Sequence, residues 1–65
     1  MLALSEILLV EGNNISSFEE LKKSIQQIAI TRGELFFNVD IEPPAFTDRP
    51  KDWHDQLNIT FESAR

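Results

Sequence analysis

Ile7-Leu8-Leu9-Val10 is apolar at consecutive positions and runs into the turn-forming cluster Glu11-Gly12-Asn13-Asn14. A short uninterrupted apolar run closed by turn residues suits a strand covered on both faces. Leu4, Ile7 and Leu8 also share a helical face, so periodicity alone leaves a helix open at this point. The expectation drawn from the run is a strand.

The segment that follows carries the clearest pattern in the chain. Ser17-Phe18-Glu19-Glu20 fits a capping box, in which a Ser hydroxyl and a Glu three residues on satisfy free amides at a helix start. Phe18, Leu21, Ile25 and Ile28 then recur along one helical stripe. Glu19 and Glu20 lie where the helix dipole favours negative charge. Arg32-Gly33 closes the pattern with a cation in the last turn and a residue able to take positive φ. The spacing predicts a helix over 17–32.

From Glu34 the period changes to two. Leu35, Phe37, Val39 and Ile41 alternate with Glu34, Phe36, Asn38, Asp40 and Glu42, until Pro43-Pro44 ends the ladder. Leu57, Ile59 and Phe61 alternate with Asn58, Thr60 and Glu62 in the same way. Between these runs lies a long connection, 43–55, of a length that is often functional in a small domain. The order strand, helix, strand, strand reads as an α+β fold in a single small domain, 1–65. It is a two-layer βαββ arrangement, one helix packed on a three-stranded sheet. A right-handed crossover would make the first two strands parallel, and the last two would pair antiparallel.

Composition narrows the chemistry. The chain has 65 residues, 11 acidic and 6 basic, a net charge of −5, one His and no Cys. Disulfides, thiolate nucleophiles and two-histidine metal motifs are excluded. A negative chain with scattered basic residues is a poor ligand for nucleic-acid phosphates. No apolar segment approaches a membrane span, and the start lacks the basic n-region of a secretory signal, so a cytoplasmic protein is expected. The glycosylation patterns at Asn14 and Asn58 then carry no weight.

Several polar groupings invite a site and support it poorly. The junction from Gly12 into the 17–32 helix could hold an anion on free amides, yet two glutamates occupy its first turn. Asp52, His54 and Asp55 are dense in ligating groups, but nothing supplies an oriented further ligand. Ser5, Ser16, Ser17, Ser24 and Ser63 offer hydroxyls without a nucleophile elbow. No catalytic residue, cofactor or metal is therefore expected, and the protein is read as a non-enzyme.

Surfaces for a partner are easier to name. The apolar run Ile7, Leu8, Leu9 and Val10 has two faces and one helix to cover it, and open sheet edges invite pairing. Phe36 stands on an otherwise acidic outer face with Asp40 and Glu42. Arg49 and Trp53, four residues apart in the long connection, are residue types common in interface hot spots. For Trp53 the favoured reading is that it folds back over an open end of the core. The chain is thus expected to be a non-catalytic acidic protein–protein interaction module, a small subunit or adaptor acting as a homo-oligomer or in a complex. The alternative is an inhibitor of a nucleic-acid-binding or toxic enzyme, of antitoxin, immunity or phage counter-defence type. It predicts that charge reversal at Asp40 and Glu42 abolishes binding while the fold survives.

Overall fold

The computed structural model describes residues 1–64. Its elements are β1 (Leu2–Ala3), α1 (Leu4–Glu11), a 3-10 turn (Gly12–Asn14), α2 (Phe18–Arg32), β2 (Phe37–Asn38) and α3 (Trp53–Ser63). The expected three-stranded βαββ sheet with one helix is overturned. Three helices surround a two-stranded parallel ladder in which Leu2 pairs with Phe37 and Ala3 with Asn38.

The first correction concerns Ile7–Val10, which is helical within α1. Leu4 and Ile7 are buried on one face with Leu8 half-buried beside them, while Leu9 and Val10 point to solvent. A helix satisfies its own amides and needs only one covered face, whereas a central strand here would need neighbours on both sides. The strand that does precede it is two residues long, and Leu2 at its start is a core residue.

Helix α2 follows the sequence expectation closely. Ser17 accepts a hydrogen bond from the Glu20 amide at 3.1 Å, and Gly33 ends the helix in the left-handed region at φ 64°. The capping box is shifted by one residue, because the Glu20 carboxylate accepts from the Ser16 amide at 2.8 Å and not from Ser17. Phe18, Leu21, Ile25 and Ala29 form the buried stripe.

The second correction concerns 57–61, expected as a strand and observed as the middle of α3. Leu57, Thr60 and Phe61 are buried, and Trp53 and Ala64 pack against the core, which is a helical stripe. Ile59, which a strand would place beside Leu57 and Phe61, is 58% exposed. The buried Thr60 hydroxyl donates to the Gln56 carbonyl one turn back at 2.7 Å.

The third correction is one of extent. Of the alternating segment 34–42, only Phe37–Asn38 joins a ladder. The remainder is irregular chain held by side chains, and Val39, Pro43 and Phe46 turn inward from it. The Phe37 ring stacks on Phe61 at 5.3 Å, joining β2 to α3. No described helix is long and apolar enough to cross a membrane.

Candidate protein-interaction surfaces

The chain between β2 and α3 is fastened by carboxylates that complete the helix starts. A helix leaves its first amides without intrahelical partners, and an acceptor there is favoured by both hydrogen bonding and the dipole. Ala3 precedes α1 and has no capping side chain. Asp40 supplies the acceptor instead, taking the Ser5 amide at 3.0 Å and the Ser5 hydroxyl on its second oxygen. Asp48 does the same for α2, accepting from the Phe18 amide at 2.7 Å and the Glu19 amide at 3.1 Å. The anion that the α2 N-terminus attracts is thus the chain's own Asp48.

These bonds hold the carboxylates in their charged form. Asp40 is lowered from the ordinary aspartate value chiefly by the Ser5 hydroxyl, and Asp48 chiefly by the Phe18 amide. Glu20 is lowered chiefly by the Ser16 amide. Hydrogen bonds to an ionised carboxylate favour that form directly.

Arg49 anchors the same connection. Its guanidinium donates to Glu42 at 2.9 Å and to the Pro43 carbonyl at 2.7 Å, and it lies 5.7 Å from the Trp53 ring centre. Trp53 is half-buried against the core edge, with His54 stacked beside it at 5.7 Å. Arg49 and Trp53 are therefore together, but much of each is engaged within the chain.

The nine residues expected to meet a partner fall into separate groups. Ile7 is a core residue and Leu8 packs against the core, so neither offers a free side chain. Leu9 is 87% and Val10 70% exposed, adjacent at the end of α1. Phe36 is 68% exposed beside the β1–β2 ladder, where its carbonyl accepts from the Leu2 amide. Asp40 and Glu42 do not form the outer face of a strand, since one caps α1 and the other pairs with Arg49. Charge reversal at Asp40 would remove that cap, so it cannot probe binding with the fold untouched.

Sequence reasoning missed a groove of about 290 Å³ between the β2 segment and α3. Leu35, Phe36 and Phe37 line one side, and Asn58, Phe61 and Glu62 the other. Its signal was the run Leu35-Phe36-Phe37: neighbours in extended chain point to opposite faces, so such a run cannot be wholly buried by one layer. Forming its second wall required α3 to be read as a helix.

Four of the five serines use their hydroxyls at helix ends. Ser5 donates to Asp40, Ser16 to Glu20 and Ser63 to the Thr60 carbonyl, while Ser17 accepts at the α2 cap. Among the described residues no cluster of His, Cys, Asp and Glu is assembled to hold a metal ion. Comparison with family models, curated proteins and solved structures finds no significant match to this chain.

Proposed function

We infer that this protein is a non-catalytic protein–protein interaction module, a small acidic subunit or adaptor. The observation that carries the reading is the adjacent pair Leu9 and Val10, apolar and largely exposed at the end of a helix whose other face is core. Burying such side chains in an interface is worth about 1.5–3 kcal/mol each. Leu9 and Val10 are mostly exposed in the folded chain as in the unfolded one, so folding gains little from them and association can. Leu9 and Val10 can be changed without touching the core, which separates partner binding from folding. The absence of cysteine is in keeping with a cytoplasmic setting.

The test is affinity capture from the native host with wild-type protein and a Leu9→Asp/Val10→Asp variant, paired with sedimentation equilibrium on each. A stoichiometric protein partner, or a reversible oligomer, that is lost in a folded variant supports the reading. A wild-type chain that stays monomeric at high concentration and retains no protein would sink it.

A further inference from the structure

The ladder between β1 and β2 leaves one edge of β2 open. In a parallel pair the residues of each strand alternate between bonding the neighbour and bonding outward. The Leu2 amide donates to the Phe36 carbonyl at 2.9 Å, and Leu2 is opposite Phe37. That register directs the N–H and C=O of Phe37 away from β1. Neither has a backbone partner among the described residues. Phe37 also lines the groove shared with Asn58, Phe61 and Glu62. An open edge beside a hydrophobic groove is the geometry by which an extended peptide adds to a sheet, with main-chain bonds on one side and side-chain contacts on the other.

Charge selects the occupant. Among the described residues no Lys or Arg lines this groove, whereas Glu62 stands in its wall. Asp55 lies two helical turns before Glu62 on the same face of α3, and Glu34 adjoins Leu35 at the other wall. Among the described residues, the ion pair formed by these carboxylates is that of Glu34 with the Met1 ammonium at 3.5 Å. A second copy would bring another −5 chain carrying the same carboxylates against them. Like charges opposed across an interface are strongly disfavoured, and opposite charges set both partner choice and association rate.

We propose that the groove between β2 and α3 receives an extended segment of a basic protein partner, added as a strand beside Phe37, with apolar side chains on Leu35, Phe36 and Phe61 and Lys or Arg side chains toward Glu62 and Asp55. This rests on the interaction-module reading and assigns it a second surface, whose lining includes neither Leu9 nor Val10.

The experiment is selection of random decapeptides by display on the intact protein, followed by anisotropy titration and ¹⁵N shift mapping of the best synthetic peptide. The expected peptide alternates apolar and basic residues and shifts the amides of Leu35–Asn38 and Asn58–Glu62. Its affinity falls at least tenfold in Glu62→Lys and on N-methylation of alternate peptide amides, and is unchanged in Leu9→Asp/Val10→Asp. Selection that enriches nothing, peptides without basic bias, or shifts confined elsewhere would overturn the proposal. So would concentration-dependent broadening at Leu35–Asn38 in the free protein, which would mark a second copy as the occupant. A native partner mapped to Leu9 and Val10 alone would overturn the groove and leave the module reading standing.

Discussion

Replacing Leu57 and Ile59 separately by Ala tests whether 53–63 is a helix through its energetics. Leu57 is fully buried in the core, and deleting such a side chain costs the lost transfer energy plus the residual cavity, about 2–5 kcal/mol. At about 0.05–0.15 kcal/mol per residue, a chain of 65 residues has a total stability of roughly 3–10 kcal/mol. Leu57→Ala therefore removes about a fifth of the stability at the least, and at the upper end of the range all of it. With about 4–8 °C per kcal/mol in domains of this size, a loss of about 3 kcal/mol lowers Tm by roughly 12–24 °C. Ile59 is 58% exposed, so truncation forfeits little burial, and Ala regains a few tenths of a kcal/mol in helix propensity. The net change for Ile59→Ala is expected within about 0.5 kcal/mol. Urea denaturation followed by far-UV circular dichroism reads both. Equal destabilisation by the two substitutions would refute the helix, because a half-buried strand puts residues 57, 59 and 61 on the same covered face.

Further outcomes follow from the backbone and the caps. Gly33→Ala should destabilise by about 1 kcal/mol, since Gly33 has φ 64° and the cost is one of backbone conformation. Gly12→Ala should do the opposite, stabilising by about 0.4–1 kcal/mol in thermal melts, because Gly12 has φ −56° and an added Cβ meets open space. Ser17→Ala removes the hydroxyl that accepts the Glu20 amide and should cost about 1 kcal/mol by the same measurement. Asp40, Asp48 and Glu20 all have folded pKa values below their unfolded ones, so the stability they contribute is present above the ordinary carboxylate range and lost as pH falls through the lowered values. Tm measured at constant ionic strength should therefore drop below about pH 4, and Asp40→Asn/Asp48→Asn should flatten that drop; an unchanged acid limb would discredit the caps.

The sequence was most legible where signals of different kinds agreed. In α2 the cap, the stripe, the dipole and the glycine stop all describe the same helix, and it forms with nearly those bounds. It was least legible where one spacing serves two periods. Leu57 and Phe61 are four apart, which is in phase for a strand and for a helix alike, and the strand reading depended on Ile59. Leu4 and Leu8 pose the same ambiguity in α1, where burial of Leu4 and Ile7 decided for a helix. The fold class was lost on those two segments.

For the surfaces, Leu9, Val10 and Phe36 could be named from the pattern, since each is an apolar residue in excess of what one layer covers. The positions of Asp40 and Asp48 could not. Each meets its amides across a sequence separation of 29–35 residues, and local pattern carries no record of such a partner. The groove was hidden for a related reason, its second wall being a face of α3 that exists only once that segment is helical.

The remote origin of the caps bears on where this chain can be cut or lengthened. Connections without secondary structure are ordinarily the places to insert a tag, a domain or a new terminus. Here the irregular stretch 40–48 spans the distance between the first turn of α1 and the first turn of α2, with Pro43 buried on the way. Extra residues inside it would pull one carboxylate off its amides, so it behaves as a strut of fixed length. The 3-10 turn at Gly12–Asn14 contains no buried residue, and a break or an insertion there leaves the strut and both of its caps in place. In this molecule the site for a permuted terminus is the short turn, and the long loop is the part to leave alone.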